Sequence, residues 1–396
     1  EAELSYRKAI EINPDFAEAH SNLGNTLRDL GTLEEAELST RNAIAINPKC
    51  AKAHFNLGNI LSDIGKLQEA EKSYRKAIKI NPDYPEAHSN LGNILSDLGK
   101  LQEAELSYRK AIEINPAFAD AYYSLSLLKY SDKNMRWKDQ LFSENILNNK
   151  SQNDKVNIYF TRANVLHKEK NYKESSRYIK LANKLKLILK PSNADTLINQ
   201  SKVLLIESYK QEINKKKYAD SSQSIFIVGM PRSGSTLLES ILSMNTDVGA
   251  LGEINILKES FLDYNKSNQI LTLAERYWKK IKDRKQQDNI TTNKNLYNYQ
   301  FAGIIAKRIP KAKIIHCFRN PLDNILSIYR THFAGENEYS SSLVDCARVY
   351  LDQEEVMTEY KNRLRSKIYD LNYDSLVSNP SKEIKDLISW LGWQWD

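Results

Sequence analysis

An Asn-Pro pair returns at Pro14, Pro48, Pro82 and Pro116, always 34 residues apart. Glycines keep the same step, at Gly24, Gly58 and Gly92 and again at Gly31, Gly65 and Gly99. A unit of this length is too small to bury its own apolar stripe, so successive units must stack into a solenoid. Each unit reads as two amphipathic helices, for example over 53–63 and 68–80, with a glycine ending the first and a proline closing the second. Small residues, Gly24 with Ala36 and Gly58 with Ala70, fall where two helices must touch.

The pattern Leu57-Gly58, Ala70, Tyr74, Ala77 and Pro82 resembles the tetratricopeptide repeat. The resemblance covers about residues 1–130, and Glu1 falls where a second helix would begin, so the N-terminus is expected to be a truncation. Asn22, Asn56 and Asn90 share one position of the first helix, and Asn25, Asn59 and Asn93 lie three residues on, on the same face. Asparagine is a mediocre helix former, so its recurrence has two readings. One is an amide ladder in the repeat groove that binds the main chain of an extended peptide or protein partner. The other is a polar surface copied by recent duplication. His20, His54 and His88 also recur, too far apart to share a ligand, and read as packing residues.

Residues 131–220 lose the strict period. The stretches 159–167 and 171–184 read as one degenerate repeat and 195–213 as a further helix. Lys215-Lys216-Lys217 lacks interleaved aromatics and reads as a solvated linker, so no nucleic-acid partner is expected. Three domains follow: repeats over 1–130, a helical bridge over 131–220 and a chemical domain over 221–396. Charge divides with them. Residues 1–130 carry 15 Lys and Arg against 19 Asp and Glu, whereas the remainder carries 42 against 31, so an anionic ligand is expected beyond residue 130. No apolar run approaches the ~18–20 residues of a membrane span. Cys50, Cys317 and Cys346 are too few and scattered for a disulfide framework or a zinc site, which fits a reducing, cytoplasmic setting.

At residue 224 the pattern changes. Residues 224–229 form a short apolar run rich in β-branched side chains, the mark of a buried parallel strand. Met230-Pro231-Arg232-Ser233-Gly234-Ser235-Thr236 follows, then an apolar-periodic helix over 237–244. A strand, a glycine-containing loop and a helix N-terminus make an anion site. The nucleoside triphosphate loop would carry lysine where this chain has Ser235, and its cation has moved to Arg232; this disfavours an NTPase. A second buried strand over 312–318 delivers Arg319, and Asn320-Pro321 starts a helix that carries Ser327. An arginine fork and a hydroxyl at that spacing can hold one phosphate from two sides.

Together the two segments resemble the sulfotransferases that use 3′-phosphoadenosine 5′-phosphosulfate (PAPS), and arginine in the loop is similar to the tyrosylprotein sulfotransferase branch. The resemblance implies a P-loop-like α/β domain with a parallel sheet, so the fold class expected is an α-solenoid followed by α/β. It implies that Arg232, Ser233, Gly234, Ser235 and Thr236 bind the 5′-phosphosulfate and that Arg319 and Ser327 bind the 3′-phosphate. Glu253 would be the general base, Lys294 would neutralise charge on the leaving phosphate, Arg232 would count with them as catalytic, and Tyr373 would contact the nucleotide. No metal is expected. Asn293 stands where the family has aspartate, Thr331 where it has a further arginine, with Arg330 next door, and the family's nucleotide-covering segment would begin after Asp396. The acceptor is a hydroxyl: a protein tyrosine is one candidate, with the repeats presenting it or a partner, and a small glycan or lipid alcohol is another, with the repeats serving assembly instead. The alternative is a peptide-binding scaffold with an inactive transferase-like domain.

Overall fold

The computed structural model describes residues 1–129, 136–210, 222–266, 271–283, 289–333, 335 and 337–394. The Lys215-Lys216-Lys217 run and the end of the helix expected over 195–213 lie outside these residues. The chain forms two compact units, Glu1–Leu185 and Lys186–Asp396.

Among its described residues the first unit contains helices and no strand. Its regular part comprises α1 (Ala2–Ile12), α2 (Ala17–Asp29), α3 (Leu33–Ile46), α4 (Ala51–Ile64), α5 (Leu67–Ile80), α6 (Pro85–Asp97), α7 (Leu101–Ile114) and α8 (Ala119–Leu127). Leu57, Leu61, Ala70, Tyr74 and Ala77 are buried, as the periodicity requires. The tightest contact in that repeat joins Gly58 to Tyr74: a Cβ at Gly58 would lie 2.6 Å from the ring. The Asn-Pro pairs build the turns between repeats. The Asn47 side chain accepts from the Lys49 N–H at 3.1 Å, and the His54 ring meets the Pro48 carbonyl at 3.0 Å. His20 meets Pro14 and His88 meets Pro82 in the same way, at 2.9 and 3.0 Å, which explains why histidine keeps the period.

Beyond the regular repeats come α9 (Arg136–Phe142), α10 (Gln152–Lys168) and α11 (Tyr172–Leu189). Arg162 is buried on α10, where its guanidinium donates to the Leu141 and Ser143 carbonyls at 2.9 and 3.0 Å and lies over the Phe142 and Tyr178 rings.

The second unit is α/β, its five strands all parallel: β1 (Gln223–Gly229), β2 (Val248–Ala250), β3 (Ile290–Asn293), β4 (Lys313–Phe318) and β5 (Ile368–Asn372), in the order β2-β3-β1-β4-β5. β1 is central and has apolar residues on both faces. Phe226 and Val228 enter a core with Trp278, Tyr299 and Met357, while Ile225 and Ile227 enter a second with Leu238, Ile315 and Leu387. The helices are α12 (Ala194–Glu207), α13 (Ser235–Leu242), α14 (Ile256–Lys266), α15 (Leu273–Asp283), α16 (Ala302–Arg308), α17 (Pro321–Arg330), α18 (Leu343–Leu364), α19 (Tyr373–Ser378) and α20 (Pro380–Leu391). α12 packs against α18, and Gln300 fastens it by donating to the Leu197 carbonyl and the Ser201 hydroxyl at 3.0 and 2.9 Å. The helix after β1 begins at Ser235, two residues earlier than the apolar pattern gives, because Gly234 turns the chain directly into it.

Candidate active site

Five loops leave the sheet at the carboxyl ends of its strands, and each carries one of the residues singled out in the sequence. Arg232 to Thr236 follow β1, Glu253 follows β2, Lys294 follows β3, Arg319 follows β4 and Tyr373 follows β5. β3 and β4 flank β1 on opposite sides, so the strand order reverses at β1. In open parallel sheets ligands bind in the crevice outside such a switch point.

The loop after β1 is built from within. The Ser233 hydroxyl, buried, donates to the Met230 carbonyl at 2.7 Å, so this side chain closes the loop and faces away from solvent. Gly234 has φ +87°, and a Cβ there would lie 2.1 Å from the Tyr373 ring, so only glycine lets the loop turn and accept that ring. Leu238 makes the first intrahelical bond of α13, to the Gly234 carbonyl, and the N–H groups of Ser235, Thr236 and Leu237 precede it. Arg232 has φ +69°, a conformation costing a non-glycine residue about 1–2 kcal/mol. There its Nε donates to the Ser327 hydroxyl at 3.3 Å. Thus two residues that the sequence assigned to opposite ends of a nucleotide lie in contact.

Lys294 is the hub of the opposite side. Its Nζ donates to the Thr236 hydroxyl at 3.1 Å and to Glu253 Oε1 at 3.0 Å, and lies 3.8 Å from Glu239 Oε2. Its backbone N–H holds the Gly252 carbonyl at 3.0 Å, which fixes the loop bearing Glu253. The Lys294 side chain is 8% exposed and that of Glu253 66%, so the carboxylate reaches solvent while its partner does not. Asn293, which stands where the family has aspartate, is buried and accepts from Asn298 at 3.1 Å.

Arg319 lies 3.5 Å from Asp374 Oδ1 through its Nε, which is buried and makes no hydrogen bond, and its guanidinium sits 5.1 Å from the centre of the Tyr373 ring. A buried arginine donor that has an ion pair but no hydrogen bond is one an anionic ligand would satisfy. Tyr373 is half-buried between Gly234 and Arg319 and so joins the two proposed phosphate subsites. Thr331 donates to the Ser327 carbonyl at 2.7 Å.

Two further residues hold the site and were not singled out in the sequence. Asn324, fully buried on α17, donates to the Pro231 carbonyl at 3.0 Å and supports the loop from behind. Glu239, on the inner face of α13, accepts from the Thr292 hydroxyl at 3.0 Å. Both are polar residues at apolar-face positions of their helices, the one signal that could have found them. His316 is buried between Asp370 and Gln353, at 3.2 and 2.6 Å, away from these loops. Among the described residues no group of three or more His, Cys, Asp or Glu could hold a metal ion, and no helix is long and apolar enough to cross a membrane.

In the repeats, the asparagine face is already partly engaged. Asn56 is buried and its amide donates to the Ser21 hydroxyl at 3.1 Å and carbonyl at 3.3 Å. Asn90 donates to Asn59 Oδ1 at 2.9 Å, which also accepts from the Tyr74 hydroxyl, and Asn22 accepts from Lys52 at 3.0 Å. Apart from the Tyr74 bond, which lies within one repeat, these bonds run from one repeat to the next.

The chain matches the Sulfotransferase family over residues 224–271 and 265–396. It matches TPR repeat and tetratricopeptide repeat profiles over 1–31 and 58–99, 17–50 and 85–118. An uncharacterized protein of Aquifex aeolicus (strain VF5) is 25% identical over 265 residues, which cover 60% of this chain and 34% of that protein. The chain therefore spans about a third of the length of this curated relative. Among solved structures, YrrB, described as a TPR protein with an unusual peptide-binding site, is 20% identical with a TM-score of 0.35, covering 46% of this chain and 91% of its own. PilF of Pseudomonas aeruginosa is 22% identical with a TM-score of 0.36, covering 48% and 84%. The chain joins tetratricopeptide repeats in its N-terminal part to a domain of the sulfotransferase family in its C-terminal part.

Proposed function

We propose that the second unit is a PAPS-dependent sulfotransferase acting on an acceptor hydroxyl. The observation that supports this most is the placing of the Arg232 loop, Glu253, Lys294, Arg319 and Tyr373 at the carboxyl ends of the five strands. In this reading the helix N-terminus after Gly234, with Arg232 and Thr236, holds the 5′-phosphosulfate. Arg319, whose Nε makes no hydrogen bond, and Ser327 hold the 3′-phosphate, and Tyr373 lines the nucleotide between them. Glu253 takes the acceptor proton, and Lys294, beside Thr236, offsets charge growing on the departing phosphate. As in phosphoryl transfer, the protein supplies positioning and charge stabilisation. The likeness to the tyrosylprotein branch rests on Arg232 and Glu253, and a protein tyrosine is the acceptor that likeness offers. The repeats present the acceptor or a peptide or protein partner; of the asparagine face, Asn22 and Asn90 stay half-exposed for this, while the Asn56 amide is taken up by Ser21. A cytoplasmic setting rests on cysteine usage alone.

The test is calorimetric titration with adenosine 3′,5′-bisphosphate, with AMP and ATP alongside and Arg319→Ala as the control. Each charge-assisted bond is worth roughly 1.5–3 kcal/mol, so the variant is expected to bind about 10- to 150-fold more weakly. Failure to prefer the bisphosphate over AMP and ATP would favour a scaffold with an inactive transferase-like domain.

A further inference from the structure

A cavity of about 430 Å³ opens beside Glu253, within the size of small-molecule sites. One wall is the proposed reaction side, with Arg232, Thr236 and Glu253. The other is formed by Asn255, Asn295, Tyr297, Phe333 and Asn337. Among the described residues lining this cavity, Arg232 and Glu253 are the charged ones, and both belong to the reaction side.

Among the described residues the other wall is neutral but dense in hydrogen-bonding groups, and it is held in place from within. The Asn295 amide donates to Asn255 Oδ1 at 2.8 Å, while its own oxygen accepts from the Tyr297 N–H at 3.2 Å. The Tyr297 hydroxyl is fixed by Asn337 and by Tyr339. Asn337 in turn donates to the Gly335 carbonyl at 3.1 Å. Asn255 is exposed, and its amide hydrogens donate to no group among the described residues; it lies two positions from Glu253. Wall groups so held present amide donors and acceptors, with the Phe333 and Tyr297 rings, in the same cavity that Glu253 lines.

This chemistry discriminates between acceptors. A peptide whose tyrosine is flanked by acidic residues brings carboxylates that must be offset by cations as they leave water, and the described residues of the other wall supply none. A bare phenol would bring no groups to meet the amides, and each polar group left unmet costs about 1–3 kcal/mol. A sugar ring satisfies both conditions, since its hydroxyls pair with neutral amides and its C–H face packs on an aromatic ring.

Resting on the sulfotransferase reading above, we infer that the acceptor of this site is a neutral glycan, with Asn255, Asn295, Tyr297 and Asn337 as the residues that select it. The glycan hydroxyl loses its proton to Glu253, its oxygen forms the new bond to sulfur, and the sulfur–oxygen bond to the donor's phosphate breaks with the electron pair leaving on that phosphate.

The experiment uses the full chain with PAPS and two acceptor sets. One is a panel of neutral oligosaccharides such as lactose, cellotriose and N-acetylchitotriose, the other a tyrosine peptide flanked by aspartates. Release of adenosine 3′,5′-bisphosphate is followed, and donor affinity is measured separately by calorimetry. Expected are turnover of a neutral oligosaccharide in preference to the peptide and a roughly tenfold rise in KM for Asn255→Ala, with donor affinity unchanged. Asn255→Lys, at an exposed position that does not burden folding, is expected to shift preference towards the acidic peptide. Donor binding with the peptide preferred, or with no neutral oligosaccharide turned over, overturns the glycan inference and leaves the sulfotransferase reading standing. Absence of donor binding overturns both.

Discussion

Replacing Lys294 by methionine separates its structural work from its proposed chemistry. The Lys294 Nζ lies 3.8 Å from Glu239 Oε2, with both side chains buried, and 3.0 Å from Glu253 Oε1, whose side chain is mostly exposed. At an effective dielectric constant of about 20 the first pair attracts by about 4 kcal/mol. Removing one member of a buried pair leaves an uncompensated charge, a loss of about 3–5 kcal/mol, of which the Thr292 hydroxyl on Glu239 offsets roughly 1. Lys294→Met is therefore expected to destabilise the second unit by about 2–4 kcal/mol. Glu253→Gln breaks a pair that is largely solvated and is expected to cost less than about 1 kcal/mol. The double variant Lys294→Met with Glu239→Leu removes both buried charges and is expected to return to within about 1 kcal/mol of the parent, while sulfonate transfer stays lost in both. Urea unfolding reads this, followed through Trp278, which is buried in the larger core of this unit. A Glu253→Gln variant as unstable as Lys294→Met, or a double variant no better than the single, would refute the reasoning.

Three further outcomes are expected. Gly234→Ala puts a side chain on a left-handed residue and into the Tyr373 ring, so bisphosphate affinity should fall at least tenfold by calorimetry; unchanged affinity would separate Tyr373 from the nucleotide site. Asn56→Ala should cost the repeat unit about 1–3 kcal/mol in thermal or urea unfolding, because its amide is buried against Ser21, whereas Asn22→Ala should cost little; equal losses would contradict this division. His332 is held down to about 4, by burial first and by Lys186 second, against about 6.5 in the unfolded chain. The unfolded state takes up a proton that the native state refuses, so stability should fall as pH drops from about 6.5 to 4. His332→Gln should flatten that slope, and an unchanged slope would assign the proton elsewhere.

The repeats were legible because one 34-residue copy repeats the same local instructions. Leu57, Ala70 and Tyr74 face inward wherever the chain is read, and Asn-Pro with a following histidine writes the turn. The site was legible in part for a related reason: strands of a parallel sheet end at one edge, so residues just past apolar runs at 224–229 and 312–318 had to meet there. Tyr373 shows the limit, since its contact with Gly234 joins residues 139 positions apart and has no local signature. The asparagine face shows another: equal spacing placed Asn22, Asn56 and Asn90 on one helix position, but only packing buried Asn56 and left Asn22 half-exposed.

By itself, the sequence determined the helical period, the apolar strands, the glycine-containing loop after the first strand and the residue types that follow each strand. Those depend on local propensity and on which side chains avoid water. The tertiary structure alone decided that Lys294 sits between Glu253 and Glu239, that Arg232 touches Ser327, and that Asn255, Asn295 and Asn337 line one cavity with Glu253. Such partnerships depend on strand order and on the path of each loop, and these are settled by packing across the whole unit.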